Sequence, residues 1–302
     1  MSLTNFPNGL TSFGVPVMGG GPQVPFTTGN YYFVDSGTGL STNPGTFAEP
    51  MATIDQAVNK CTASNGDVIV VFPGHAETIS SATSLVMDTI GVYVVGLGKG
   101  ALRPTLTFSA DTSTIAVSGA DCTLENLILV ANIDNMAVGI TASATADGLT
   151  LRNIEMRDGA SNKEFLVAIS VAAACADVTI DGLAFHGLAG GMTNCILLAG
   201  AADRFKMVNS FIRCDASDYI LDAVTAASVG VVVRNNLFIN IDTGAGLAVG
   251  FHNDSTGFVA NNHVANLKDT VAPFAGTGLA YSQNYGSNAL NASGIILPAV
   301  DT

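Results

Sequence analysis

One short pattern of apolar and polar residues recurs between Ala120 and Asn266. Each copy is a run in which apolar residues alternate with polar ones and which then reaches an Asn or Asp, as in 122–129 and 231–238. The polar marker falls at six positions separated by 27, 28, 28, 26 and 26 residues: Asn126, Asn153, Asp181, Asn209, Asn235 and Asn261. Such a regular spacing is the signature of a protein built from stacked repeats.

The period inside each repeat predicts strands. Apolar residues recur at every second position and are a mixture of Val, Ile, Leu, Phe and Met, which is typical of β-strands. No segment of the repeat has the i, i+3, i+4, i+7 spacing of a helix, and the fixed leucines and helical half of a leucine-rich repeat are missing. We therefore interpret each repeat as about one coil of a parallel β-helix, an all-β solenoid.

The recurring marker suggests a mechanical role at one bend of the coil. Asn tolerates the left-handed backbone conformation that tight bends require. Amide side chains stacked from coil to coil can also hydrogen-bond to one another as a ladder. We predict that the six marker residues form a structural Asn/Asp ladder.

The remaining segments divide the chain into four parts. Residues 1–28 are rich in Pro and Gly and form an extended N-terminal arm, whose apolar residues favour docking onto another surface: Phe6, Leu10, Phe13, Val15 and Val17. The alternative is that the arm pads the first coil of its own chain. Residues 29–66 contain a strand, a loop and an amphipathic capping helix at 50–62. The coils fill 67–266, and 267–302 is a C-terminal closing segment.

Composition and charge narrow the class of partner. The chain has a net charge of −13 with only 11 Lys and Arg among 302 residues, so a phosphate backbone would repel it and nucleic-acid binding is not expected. No apolar stretch is long enough to span a membrane, and the N-terminus has no signal-peptide pattern. The five cysteines lack paired spacing and are expected to be reduced.

The candidate chemistry is sparse. A glycosidase needs two carboxylates close together, and the densest acidic group is Asp215, Asp218 and Asp222, near Arg213 and Tyr219. This group could contact a sugar or a cation, but acidic residues at bends are more often solubilising turn residues. The four histidines, at 75, 186, 252 and 263, are isolated in sequence, so we expect no metal site and no cofactor.

Several phrases of the sequence resemble a known family. Residues 35–39, 45–58 and 65–78 resemble the beginning of a right-handed, single-stranded parallel β-helix of the pectate-lyase-like class. The start at 5–17, together with Tyr285 and the ending at 293–298, is similar to bacteriophage and prophage particle proteins. This resemblance implies a virion protein, assembled in the host cytoplasm as a homotrimer that contacts other virion proteins on the capsid surface or in a short fibre or spike.

Pectate lyases of this class resemble one another in a calcium cluster of acidic residues beside a basic residue, and polygalacturonase-like members carry Asn-Thr-Asp, Asp-Asp, Gly-His-Gly and Arg-Ile-Lys phrases. None of these patterns is found in this sequence. Phe185-His186-Gly187 is the segment most similar to the Gly-His-Gly phrase, but the companion phrases are missing. We therefore assign no catalytic residue from the resemblance. Apolar runs at 137–144 and 167–175 exceed what one inward face needs, which favours coverage by sister chains. The sequence thus favours a structural protein, with a polysaccharide depolymerase or a non-catalytic module that binds host glycan as alternatives.

Overall fold

The computed structural model describes residues 24–188, 190–244, 246–266 and 273–288, with the backbone of three two-residue strands outside these ranges, Thr11–Ser12, Val15–Pro16 and Gly294–Ile295. The first two of these short strands pair antiparallel with each other. Arm residues Phe6, Leu10, Phe13 and Val17 lie outside the described residues, and of Val15 only the backbone is described.

Three sheets of parallel strands run along the length of the molecule. The strands of sheet 1 are Tyr31–Val34, Val68–Val71, Tyr93–Gly96, Thr123–Glu125, Thr150–Arg152, Thr179–Asp181, Lys206–Val208, Val231–Arg234, Gly257–Ala260 and Ala280–Ser282. The strands of sheet 2 are Ala76–Ile79, Thr105–Phe108, Ile128–Ala131, Glu155–Asp158, Ala184–His186, Phe211–Cys214, Leu237–Asn240, His263–Asn266 and Tyr285–Asn288, to which Gly294–Ile295 adds antiparallel. The strands of sheet 3 are Leu85–Met87, Ile115–Val117, Met136–Ala142, Phe165–Val171, Asn194–Leu198, Tyr219–Ala223, Leu247–Phe251 and Phe274–Ala275.

Each coil passes from sheet 1 to sheet 2, then to sheet 3, and returns to sheet 1 one level higher. Every strand therefore pairs with the equivalent strand of the coils below and above it. This arrangement confirms the predicted all-β parallel β-helix, and crossover connections between parallel strands are right-handed in nearly all proteins.

The register keeps equivalent side chains in line through the stack. Leu124 pairs with Leu151, Leu151 with Ile180 and Ile180 with Met207, and all four are buried. Because side chains alternate between the two faces of a strand, aligned strands place the same face inward in every coil. The apolar core is therefore continuous along the axis, which is why alternation with a fixed period was sufficient to predict it.

The capping helix covers the first coils but is shorter than the predicted 50–62. It spans Ile54–Val58 and buries Ile54, Ala57 and Val58 in the core. The side chain of Thr53 accepts a hydrogen bond from the Gln56 backbone N–H, and the side chain of Gln56 accepts one from the Thr53 N–H. With this capping box the helix begins at Ile54, four residues after Pro50. One further helical turn, of the 3₁₀ type, lies at Gly100–Leu102.

The coil stack extends beyond the predicted limits of 67 and 266 at both ends. Tyr31–Val34 pairs in parallel with Val68–Val71, and the strands from Phe274 to Asn288 continue all three sheets. The sequence period is lost after Asn261 because the next bend residue is Gln283, only 22 residues later. Part of the predicted closing segment is thus a further coil.

One outward face is covered by the chain itself. Phe33, Val70 and Val95 point outward from sheet 1 in its first strands and are nevertheless buried. The rings of Phe47 and Phe72 close over them, with ring centroids 5.5 and 5.8 Å from that of Phe33.

The described residues contain no helix long and apolar enough to cross a membrane. All five cysteines are free, as expected from their spacing; Cys61 is half-buried and the others are buried: Cys122, Cys175, Cys195 and Cys214.

Candidate functional site at the asparagine corner

The turn from sheet 1 to sheet 2 is a tight bend, which we call the asparagine corner, with bend residues at 126, 153, 182, 209, 235, 261 and 283. Its asparagines have the left-handed backbone conformation, with φ of 59° at Asn126, 50° at Asn153, 54° at Asn209, 58° at Asn235 and 55° at Asn261. Asn adopts this conformation more readily than other residues with a side chain, which explains its recurrence at this turn.

Asp181 does not occupy the bend position. The bend residue of that coil is Gly182, with φ of 72°, and Asp181 is the last residue of the preceding strand. Glycine has no Cβ and accepts the left-handed conformation without strain. Sequence spacing did not reveal that the bend residue is one position later, because Asp181 also fits the spacing of the repeat.

The amide groups of the corner make contacts between coils over part of its length. The Asn209 Nδ2 donates to the Asp181 carboxylate at 2.9 Å, and the Asn235 Nδ2 lies 3.5 Å from the Asn209 Oδ1. The Asn126 Nδ2 instead donates to the backbone carbonyl of Gly96 at 2.7 Å. The side-chain contacts therefore join Asp181, Asn209 and Asn235, and all three lie on the surface.

A second, buried ladder lies one residue after the bend and was missed by sequence analysis. We call it the inward ladder; its members, Ser210, Asn236, Asn262 and Asn284, are at most 3% exposed. The Asn236 Nδ2 donates to the Asn262 Oδ1 at 3.0 Å, and the Asn262 Nδ2 donates to the Asn284 Oδ1 at 3.0 Å. The only sequence signal is the doubling of the marker in Asn235-Asn236 and Asn261-Asn262.

The outer faces beside the corner carry large apolar side chains in the C-terminal coils. Leu237 is 37% exposed and Tyr285 is 42% exposed on sheet 2, and Phe258 is 40% exposed on sheet 1. The rings of His263 and Tyr285 lie 5.5 Å apart, and those of His186 and Phe211 lie 5.4 Å apart.

A groove of about 760 Å³ follows the corner on the outer surface. Its lining combines exposed amides of the corner and buried members of the inward ladder with rings and aliphatic groups: Asn209, Ser210, Phe211, Asn235, Asn236, Leu237, Asn261, His263 and Tyr285. The arrangement offers hydrogen-bond donors and acceptors next to apolar surface, so it can hold either a protein side chain or a sugar ring.

The acidic residues at 215–222 differ in their hydrogen-bond partners. Asp215 accepts a hydrogen bond from the Gly190 N–H at 3.0 Å, whereas Asp222 accepts from the Val224 N–H at 3.1 Å and lies 3.4 Å from the Asn194 amide. Burial raises the pKa of Asp222, and Asp218 is exposed. Asp215 and Asp222 thus bind separate segments of backbone, at Gly190 and at Val224.

A different pair of carboxyls is buried where sheet 2 turns toward sheet 3. Asp158 accepts hydrogen bonds from the Phe165 N–H at 3.3 Å and the Leu188 N–H at 2.9 Å. Burial is the main cause that raises the pKa of Asp158 to about 6, and the nearby Glu164 carboxylate contributes in the same direction. Through these two hydrogen bonds Asp158 holds the backbone at Phe165 and at Leu188 against the end of its own strand.

The histidines lie in separate places. His75 is buried, accepts a hydrogen bond from the Ser36 N–H at 2.9 Å and lies 3.0 Å from the Glu77 carboxylate. His186 and His263 lie on the outer face of sheet 2, and His252 is in a turn. Within the described ranges, no three His, Cys, Asp or Glu side chains are grouped closely enough to hold a metal ion.

Comparisons with known proteins find only matches of low similarity. No family model and no curated protein matches the chain. Among solved structures, pectate lyase Pel9A is 14% identical with a TM-score of 0.46, covering 85% of this chain and 80% of that one. A rhamnogalacturonan lyase is 11% identical with a TM-score of 0.40, covering 85% of this chain and 87% of that one. The GH136 lacto-N-biosidase from Eubacterium ramulus is 11% identical with a TM-score of 0.38, covering 86% of this chain and 68% of that one. At these values the similarity assigns neither an activity nor a substrate.

Proposed function

We propose that this protein is a structural component of a bacteriophage particle that assembles as a homotrimer, on the capsid surface or in a short fibre or spike. The observation that carries the proposal is the exposed apolar surface beside the asparagine corner. Exposed apolar patches bordered by polar groups mark sites where proteins associate. The likeness of residues 5–17 and 293–298 to particle proteins supports the phage origin.

The apolar runs of sheet 3 support this assignment less than the corner does. Val138, Leu166 and Val167 are already half-buried in the single chain. The side chains that gain most from a partner are those of Leu237, Phe258 and Tyr285.

Two measurements test the proposal. Light scattering of the purified full chain is expected to give the mass of three chains, and mass spectrometry of purified particles is expected to detect the chain in a fixed ratio to the major capsid protein. A stable monomer that is missing from particles would overturn the proposal.

A non-catalytic glycan-binding module is the second candidate, and the groove at the corner favours it. Exposed amides beside the rings of His263 and Tyr285 are suited to hydrogen-bond sugar hydroxyls and to stack on a sugar face. Binding to a glycan array that is lost in Tyr285→Ala, without release of reducing sugar, would favour this candidate over the structural one.

Release of reducing sugar from host polysaccharide would instead favour the depolymerase alternative. Asp218→Asn is the control for that assay, since Asp218 is the exposed member of the acidic group.

A further inference from the structure

We propose that the turn from sheet 2 to sheet 3 holds a hard divalent cation, preferably calcium, bound by the carboxylate of Glu164 and the side-chain oxygens of Asn135 and Asp134. Asp134 and Asn135 come directly before the strand Met136–Ala142, and Glu164 comes directly before the equivalent strand of the next coil, Phe165–Val171. This inference goes beyond the proposed function and does not depend on it.

The carboxylate of Glu164 is the group that points to a ligand. Glu164 is 5% exposed, and its Oε2 is buried without a hydrogen-bond partner among the described residues. None of the ion pairs in the described part of the chain includes Glu164. A buried charge is costly unless it is paired or coordinates a metal, so this carboxylate calls for a positive counter-charge.

The register of sheet 3 brings a second oxygen to the same place. Asn135, Glu164 and Gly191 occupy equivalent positions in three successive coils, with backbones about 4.8 Å apart. A Cβ at Gly191 would lie 3.8 Å from both the Asn135 Oδ1 and the Glu164 Oε1. The two oxygens therefore border one space, and Gly191, which is exposed and has no side chain, leaves that space open to solvent.

The amide of Asn135 is oriented by its neighbour. Its Nδ2 donates to the Asp134 Oδ1 at 2.6 Å, which turns the amide oxygen toward Glu164. The Asp134 carboxylate is close enough to Glu164 for the two charges to repel each other. A divalent cation between them would replace this repulsion by two attractions.

Backbone groups complete the support of the Glu164 side chain. The N–H groups of Asn135 and of Glu164 itself lie within reach of the carboxylate and still leave Oε2 without a partner. Carboxylates that ligate metals are commonly oriented by such additional hydrogen bonds. A Cβ at Gly190 would lie 3.1 Å from the Glu164 Cγ, so the absence of a side chain at Gly190 makes room for Glu164.

The ligand types favour calcium among the common metals. All of them are oxygens, from two carboxylates and one amide, whereas zinc sites are built mainly from nitrogen and sulfur. Calcium takes about six to eight oxygens, accepts bidentate carboxylates and completes its shell with water. The open side at Gly191 provides access for that water, and the Asn135 amide stands where a third acidic ligand would otherwise be required.

Isothermal titration calorimetry of the full-length chain, freed of metal with a chelator, tests the site with CaCl2 and MgCl2 as titrants. We expect calcium to bind with a dissociation constant of about 10⁻⁴–10⁻³ M and magnesium at least tenfold more weakly. Glu164→Gln should weaken calcium binding at least tenfold. Asn135→Gly should weaken it at least threefold, and glycine suits the φ of 53° at this residue. Glu49→Gln is the matched control, since Glu49 is exposed in the loop before the capping helix, and it should bind as the wild type does.

Thermal unfolding gives a readout that a purely structural carboxylate would not give. With chelator present, Glu164→Gln should unfold at a higher temperature than the wild type, because the amide removes an unpaired buried charge. An excess of CaCl2 should raise the unfolding temperature of the wild type and of Glu49→Gln, but not that of Glu164→Gln.

A wild-type chain that neither binds calcium nor responds to it in thermal unfolding would show that a proton neutralises Glu164, and would overturn the proposal. Calcium binding that Glu164→Gln and Asn135→Gly leave unchanged would place the cation elsewhere and overturn it as well. Equal affinity for magnesium would overturn the preference for calcium. The light scattering and particle analysis that test the proposed function are independent of all these outcomes.

Discussion

Replacing Asn262 with leucine tests how much the inward ladder stabilises the C-terminal coils. Asn262 is fully buried and uses all of its hydrogen-bonding capacity. Its Nδ2 donates to the Val233 carbonyl and to the Asn284 Oδ1, both at 3.0 Å. Its Oδ1 accepts from the Asn236 N–H at 3.1 Å and from the Asn236 Nδ2 at 3.0 Å. Leucine has a similar size and removes all four bonds.

The expected loss follows from the groups that remain without partners. The Asn236 N–H and the Val233 carbonyl stay buried, and each unsatisfied buried polar group costs about 1–3 kcal/mol. Burying the apolar leucine side chain offsets part of this cost. We therefore expect Asn262→Leu to lower the free energy of unfolding by about 1–4 kcal/mol.

Two substitutions at the neighbouring residue are the matched controls. Asn261 is exposed with φ of 55°, so Asn261→Ala should cost only the left-handed penalty of about 1–2 kcal/mol. Asn261→Gly should cost almost nothing, because glycine adopts this conformation freely.

Urea unfolding gives the total change, and hydrogen exchange of peptides from 231–266 locates it, since each coil of a solenoid contacts mainly its neighbours. If Asn262→Leu costs no more than Asn261→Ala, the inward ladder contributes little and the reasoning fails.

Three further predictions concern other parts of the stack. Gly182→Ala should lower the free energy of unfolding by about 1–2 kcal/mol, because φ is 72° at this residue and a Cβ would lie 2.9 Å from the Asn153 Oδ1. Gly182→Asn should lower it by less, and urea unfolding measures both variants. In the folded protein the pKa of Asp158 is raised to about 6, so the folded state binds this proton more tightly than the unfolded chain does, and the protein loses stability as the pH rises from about 4 to 6. Asp158→Asn should remove roughly 2–3 kcal/mol of this loss. Equal pH profiles of stability for the two proteins would contradict the prediction. Burial raises the pKa values of the Cys195 and Cys214 thiols, so neither should react with a thiol reagent at pH 8 before unfolding, as labelling followed by mass spectrometry would show.

The fold could be predicted from the sequence because a β-helix repeats one local solution. Leu124, Leu151, Ile180 and Met207 face inward in successive coils, and the alternation that buries one of them buries them all. The limits of the stack were less predictable. Gln283 continues the bend after a shorter step and without asparagine, so the period ended before the structure did.

The candidate surface could be predicted only in part. Spacing identified Asn209, Asn235 and Asn261, since the left-handed bend restricts the residue types that fit there. It did not show that Leu237, Phe258 and Tyr285 gather on the two faces beside that bend. Their grouping depends on which strand positions face outward and on what covers them.

The sequence by itself determined that the chain stacks in coils and where each coil bends, because both depend on residues close together along the chain. Only the tertiary structure decided which polar residues are buried. Asn235 and Asn236 are chemically identical, yet the left-handed backbone at the first turns the second into the core. Likewise Phe33 and Phe258 both point outward from sheet 1, but the rings of Phe47 and Phe72 cover the former while the latter is exposed. Burial depends on which distant segments come together, and that information is not present in any local pattern.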